Sequence, residues 1–253
     1  MNIYETDRLL AEYLLFHYAE PAEILPYHFG PDGALDYAVR CVSECLDVPR
    51  LTAAARALDL GCAVGRSSFE LARHCTEVIG IDYSQRFIAA AQTLSARGAI
   101  DYSRRDEGEL SRRLTARIPA EIDGARVAFE VGDAQELRAD LGAFDVVLMA
   151  NLIDRLAEPR RCLERLPALV KPGGQLIITS PYTWLEEFTD RAFWLGGRAF
   201  EGQARTTREG LRLSLSADFE FIGQKDLPFL IREHARKFQW SVAEATLWRR
   251  KIF

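Results

Sequence analysis

The chain has 253 residues, 48% of them apolar, and a formal net charge of −5. That size fits one α/β domain with additions and buries a sizeable core. The charge argues against nucleic acid, which needs clustered Lys and Arg; Arg104-Arg105 and Arg112-Arg113 are interleaved with acids. No apolar run approaches the ~20 residues of a membrane span, and Glu5, Asp7 and Arg8 do not suit a signal peptide, so a soluble, cytoplasmic protein is expected. The five cysteines, Cys41, Cys45, Cys62, Cys75 and Cys162, form no C-x-x-C pair. They are expected as reduced thiols, with no metal site.

Residues 4–18 place Leu9, Leu10, Tyr13, Leu14 and His17 at helical spacing. Pro21, Pro26 and Pro31 break the chain into a loop over 21–33, and 34–46 reads as a second amphipathic helix. These first 50 residues precede the alternating core and are expected to form a helical extension, or lid. Over 51–253 strand and helix alternate. Strands are predicted at 57–60, 78–81, 127–131, 144–149 and 175–180. Helices are predicted at 65–74, at 84–97 with Ser84 as N-cap, and at 160–170, closed by Lys171-Pro172-Gly173-Gly174. Within a charged insertion over 99–125, residues 99–118 read as an exposed helix. Two strand-like runs, 219–227 and 240–248, suit an antiparallel hairpin at the sheet edge. Continuously apolar strands are buried on both faces. The βαβ alternation predicts a doubly wound α/β fold with a mostly parallel, seven-stranded sheet.

The segment Leu58-Asp59-Leu60-Gly61-Cys62-Ala63-Val64-Gly65-Arg66-Ser67-Ser68 is a strand, a glycine-bearing turn and a helix start. Such turns lie at the carboxyl ends of strands, where open α/β sheets bind ligands. Gly61 and Gly65 permit unusual φ and close approach of a ligand. The phosphate-loop Gly-Lys-Ser/Thr is absent, and Ala63 interrupts the dinucleotide pattern G-x-G-x-x-G. Asp59 would repel a pyrophosphate but suits a cationic, phosphate-free nucleoside such as S-adenosylmethionine, whose carboxylate the helix N-terminus beyond Gly65 can take. Two further acids follow strands: Asp82, placed for ribose hydroxyls with Tyr83 beside the adenosine, and Asp133, followed by Ala134, for the adenine amino group. Each alone can be a surface turn or a helix cap. Three successive acids with the glycine turn are hard to explain as structure alone. Cys62, Ser67 and Asn151 complete the expected cofactor contacts.

This constellation resembles the class I methyltransferases, whose D-x-G-x-G-x-G motif Asp59 to Gly65 matches except at Ala63. Lys171-Pro172-Gly173-Gly174 matches the family's turn before the fifth strand. The resemblance, over 56–253, implies a Rossmann-like sheet with an antiparallel terminal hairpin. A closer resemblance, to the methyltransferase family of ovothiol biosynthesis, rests on Ile3 to Asp7, Glu12 to Tyr18, Ala34 to Cys41, Ala57 to Leu71, Asn151 to Leu156 and Ser180 to Trp184. It implies methylation of an imidazole ring nitrogen of 5-thiohistidine and a functional link to an iron-dependent sulfoxide synthase.

Such an acceptor offers a soft sulfur and a ring nitrogen, so the site must aim the unprotonated nitrogen along the methyl axis. Catalytic candidates are Asn151 and Asp154, which follow the fourth strand, Tyr182 and His28. Tyr27, His28 and Trp184 are candidates to wall the ring, and Arg232 or Arg236 to take the substrate carboxylate. Competing plain roles are surface positions for His28 and His234, a pairing or capping role for Asp154, and core packing for Trp184. Alternatives at this stage are a methyltransferase for a phenol, quinone precursor or carboxylate, a non-catalytic S-adenosylmethionine-binding regulator, and an NAD(P)-dependent reductase.

Overall fold

The computed structural model describes residues 3–252. The outermost positions of both expected segments, 1–2 and 253, lie outside the described residues. In chain order the elements are α1 (Asp7–Tyr18), α2 (Pro21–Ile24), α3 (Tyr37–Ser43), β1 (Arg56–Leu60), α4 (Arg66–Leu71), β2 (Glu77–Asp82) and α5 (Gln85–Arg97). Then come β3 (Ala99–Glu107), β4 (Leu110–Arg117), β5 (Val127–Val131), β6 (Phe144–Ala150), α6 (Pro159–Leu169) and β7 (Val170–Ser180). The chain ends with β8 (Arg198–Phe200), β9 (Gln203–Arg205), α7 (Thr207–Leu215), β10 (Phe219–His234) and β11 (Lys237–Arg250).

One sheet of seven strands runs in the order β10-β11-β7-β6-β1-β2-β5. β7, β6, β1, β2 and β5 are mutually parallel, and β11 joins β7 antiparallel, with Glu244 opposite Ser180. The sheet is therefore doubly wound, as the sequence predicts. Its order reverses at β1, whose neighbours are β2 and β6, and the crevice beyond the carboxyl ends there is the binding position of such sheets.

Period-two alternation sorts the strand side chains into two cores. Ala57, Val78, Val146, Leu148 and Ile177 face one side, packed with Leu14, Leu15 and Phe16 of α1 and Tyr37, Cys41 and Val42 of α3. Leu58, Leu60, Ile79, Ile81, Val147 and Met149 face the other, against Leu163 and Leu166 of α6 and Leu211 and Leu215 of α7. The first 50 residues thus contribute directly to the core on one face of the sheet. Side chains cap the helices: Thr6 accepts from the Leu9 amide, Ser84 from the Phe87 amide, and Thr206 and Glu209 form a reciprocal box.

The segment 99–118 is not helical. It is a hairpin, β3 paired antiparallel with β4, turning at Gly108. Burial alternates along β3 with the period of a strand. Tyr102 and Arg104 point inward while Asp101 and Ser103 are exposed, and Asp101 pairs across the hairpin with Arg113 and Thr115. Cross-strand pairs of opposite charge stabilise a sheet much as i,i+4 pairs stabilise a helix, so composition alone misleads. The terminal strands are also longer than predicted. β10 and β11 run past the edge of β7 as a two-stranded ribbon that packs Phe229 and Leu230 against α1 and α3, and its tip meets the other hairpin through the Ala235 amide and Asp106 carbonyl, 3.0 Å apart. The predicted 34–46 helix is shorter, starting only at Tyr37 behind Asp36 in a left-handed conformation (φ 55°).

Candidate functional site

The turn after β1 is tied to the end of β2. The Gly61 and Cys62 amides donate to the Ile81 carbonyl at 2.8 and 3.2 Å, and the Ala63 amide donates to Asp82 Oδ2 at 2.9 Å. Gly61 has φ 73°, and a Cβ there would press on Leu152 at 3.0 Å. Ala63 holds φ 48°, a conformation that costs an L-residue roughly 1–2 kcal/mol. The hydrogen bond that the Ala63 amide donates to Asp82 offsets that strain, so alanine is accommodated where the motif has glycine. Gly65 serves packing: a Cβ would lie 2.6 Å from the Phe129 ring.

Asp59 is fully buried one residue before the end of β1. Its Oδ2 accepts from the Ser67 and Ser68 hydroxyls at 2.8 and 2.6 Å, and Oδ1 has no partner. Burial pushes its carboxyl up to about 6, the two seryl bonds oppose that shift, and Asp82 adds to it. Asp82 also accepts from the Ser84 amide at 2.9 Å, and burial raises its carboxyl. Asp133 accepts from the Gln135 amide at 2.8 Å.

A cavity of about 590 Å³ opens over these strand ends. Of the sequence-predicted residues, Gly61, Cys62, Ala63, Ser67, Asp82, Tyr83, Asp133, Ala134 and Asn151 line it together. Asp59 sits beneath its floor and reaches it through Ser67. Asn151 holds φ 51°, and its Oδ1 accepts from the Tyr37 hydroxyl at 2.7 Å, which also meets Thr179 Oγ1 at 2.7 Å.

The other candidates are placed elsewhere. Asp154 is buried beside the cavity, accepting from the Thr183 amide at 2.9 Å and from Arg155 at 3.3 Å. The Tyr182 hydroxyl donates to Glu244 at 2.7 Å, and Trp184 donates to Thr207 at 2.8 Å in the core. Tyr27 donates to the Ala235 carbonyl at 2.8 Å and stacks on Phe29, near the hairpin tip. His28 and Arg236 are exposed and do not line the cavity, and the His234 ring accepts from the Arg236 amide. Arg232 is buried, but its guanidinium donates to the Glu23 carbonyl at 2.6 Å and to Asp106 at 3.1 Å. It joins Arg104 in a structural ion network and lines a different surface depression.

The rest of the cavity wall was not anticipated. Tyr4, Tyr13, Phe16 and His17 reach it from the N-terminal segment, with Tyr37, Phe87, Arg155 and Phe188. The 13/17 spacing on α1 was visible, but counted as an apolar stripe. The Tyr18 hydroxyl donates to the Val64 carbonyl at 2.8 Å, fastening α1 to the glycine turn. Arg155 is the one Lys or Arg among the described lining residues; it lies over the Phe188 ring at 4.8 Å.

Residues 58–176 match the methyltransferase-domain family. Over this segment the chain is similar to methyltransferase domains. A ubiquinone biosynthesis O-methyltransferase from Ruegeria pomeroyi is 30% identical over 159 residues, covering 61% of this chain and 54% of the relative. The chain spans about half the length of the curated relatives it matches. The N-methyltransferase NodS from Bradyrhizobium japonicum, solved with S-adenosylhomocysteine, superposes with TM-score 0.54 at 15% identity, over 95% of this chain and 98% of that one. A methyltransferase from Methanosarcina mazei gives TM-score 0.54 at 19% identity, over 81% and 96%. The residues at the strand ends fit S-adenosylmethionine. Asp82 offers acceptors for ribose hydroxyls, and the orphaned Asp59 Oδ1 leaves buried negative potential beneath Ser67 for a cationic ligand. Among the described residues no His/Cys/Asp/Glu cluster could hold a metal, and no helix is long and apolar enough to cross a membrane.

Proposed function

We propose that this protein transfers the methyl group of S-adenosylmethionine to a ring nitrogen of 5-thiohistidine, giving ovothiol A. The observation that carries the proposal is the cavity's second half: an aromatic wall holding an uncharged imidazole, with Arg155 as its cation. That composition suits a flat heteroaromatic ring bearing a carboxylate. Tyr13 and Phe87, with ring centroids 4.6 Å apart, offer the ring an apolar surface. Arg155, which lines the cavity while its Nη1 also donates to Asp154 and to the Thr183 carbonyl, takes the carboxylate; Arg232 and Arg236 do not line the cavity. Asn151, clamped by Tyr37, orients the ring beside the glycine turn. Bound S-adenosylmethionine supplies an electrophilic methyl group, and the chain supplies alignment and exclusion of water. A sulfoxide synthase would provide the acceptor, and a cytoplasmic setting suits the five free buried thiols.

The test is incubation with S-adenosylmethionine and 5-thiohistidine, with products resolved by mass spectrometry and NMR. A ring N-methyl product is expected; S-methyl product alone, or none, overturns the acceptor assignment. A second reading, O-methylation of a phenol, is favoured by the names of the curated relatives. Turnover of a polyprenyl-catechol in the same assay would support it.

A further inference from the structure

His17 lies on the last turn of α1, in the cavity wall between two anchored neighbours. Phe16 stacks on Tyr37, whose hydroxyl holds Asn151. Tyr18 is bonded to the glycine turn. The backbone on either side of His17 is therefore anchored, and His17 lines the same cavity as Asn151 and Gly61. It stacks on Tyr13 with centroids 5.7 Å apart and meets Phe16 edge-on at 5.1 Å.

Its Nδ1 is sealed from solvent and has no hydrogen-bond partner. A buried N–H without an acceptor is the rarer and costlier orphan, so the Nδ1 position carries the lone pair and the proton resides on Nε2. With Nδ1 sealed, Nε2 is the ring nitrogen left to serve the cavity that His17 lines. Burial, followed by the charge of Arg66, pushes its pKa down to about 3. The ring is thus neutral at physiological pH. It is a poor general base and keeps a fixed donor.

We infer that His17 is a positioning residue whose Nε2–H holds the sulfur of the acceptor and so turns the ring nitrogen toward the methyl group. This rests on the thiohistidine reading above. The sulfur is intrinsically the better nucleophile toward a methyl sulfonium, so nitrogen selectivity requires something to hold the sulfur away. A neutral donor does this without neutralising the acceptor. His17 also explains a polar residue on an otherwise apolar face of α1.

The test compares wild type with His17→Phe, which keeps the stacking on Tyr13 but loses the donor, and His17→Gln, which restores an N–H. A hydrogen bond to a charged group contributes about 1.5–3 kcal/mol, roughly tenfold or more. His17→Phe is therefore expected to raise the S-methyl to N-methyl product ratio at least ~10-fold, and His17→Gln to restore it substantially. S-adenosylhomocysteine affinity, measured by calorimetry, should be unchanged in both. An unaltered product ratio in His17→Phe overturns the inference while leaving the thiohistidine reading standing. If wild type forms no thiohistidine product, that reading falls, and 4-mercaptoimidazole binding in the presence of S-adenosylhomocysteine decides the role of His17. Binding about tenfold weaker in His17→Phe than in wild type supports it. Equal binding, or none to wild type, overturns it.

Discussion

Asp59 should cost the protein stability in exchange for cofactor binding, and Asp59→Asn should reverse both. The carboxyl is fully buried, and its pKa sits at about 6 against an ordinary 3.8. The folded state therefore holds this proton to higher pH than the unfolded chain. Stability falls as pH rises through the window from 3.8 to about 6, and the loss is complete above it. A shift of roughly two units corresponds to ~3 kcal/mol at neutral pH. Asparagine keeps the shape and can still accept from Ser67 and Ser68. It leaves one buried atom unpartnered, as aspartate does, so that cost is common to both. Asp59→Asn should match wild type near pH 3.5 and exceed it by up to ~3 kcal/mol at pH 7, a Tm gain on the order of 5–10 °C. S-adenosylmethionine affinity should fall at least ~10-fold, because the buried negative charge attracts a cationic ligand. Thermal unfolding by circular dichroism across pH 3.5–8, with calorimetric titration of the cofactor, reads both arms. A stability difference that does not change with pH, or undiminished cofactor affinity, would refute the reasoning.

Gly65→Ala forces a methyl to 2.6 Å from Phe129 at φ 84°, so a loss of about 2–4 kcal/mol is expected in urea unfolding. Tyr37→Phe removes the hydroxyl that holds Asn151; kcat should fall about 10-fold or more with cofactor affinity unchanged by calorimetry. Arg155→Lys should raise the acceptor KM about tenfold at nearly constant Tm. Arg232→Met should do the opposite, destabilising by about 1–3 kcal/mol with KM unchanged, because its partners Glu23 and Asp106 belong to a structural network.

The parallel core was legible because its signals are local. Apolar runs bounded by Asp59-Leu60-Gly61 and Ile81-Asp82-Tyr83 fix both strand ends and the position of the crevice. The cavity lies over those ends, so the residues of its strand-end side could be named in advance. The hairpin at 99–117 was not legible from composition, since a mixture of Arg, Asp and Glu supports helix and ribbon alike. Gly108 between two such runs was the available hairpin signal. The acceptor half failed for a different reason. Tyr27, Trp184 and Arg232 have the right chemistry, but contacts distant in sequence engage them: Ala235, Thr207 and Asp106. No spacing rule reports such partners.

The division of the cavity has a consequence for specificity. In the proposed reading the strand ends Asp59, Asp82 and Asp133 serve the cofactor, which every acceptor would share, so they do not choose an acceptor. The choice must fall to residues that the sheet does not dictate: Tyr4, Tyr13 and His17 ahead of β1, and Arg155 and Phe188 in the loops after β6 and β7. The two groups are joined mechanically. Tyr18 bolts α1 to Val64, and Tyr37 bolts α3 to Asn151, so the acceptor wall is registered against the cofactor turn by two hydrogen bonds of 2.8 and 2.7 Å. Alignment of a nucleophile to within a fraction of an ångström is what such a reaction demands of its protein. An N-terminal segment packed into the sheet's own core can supply that precision, where a loosely hinged cover could not.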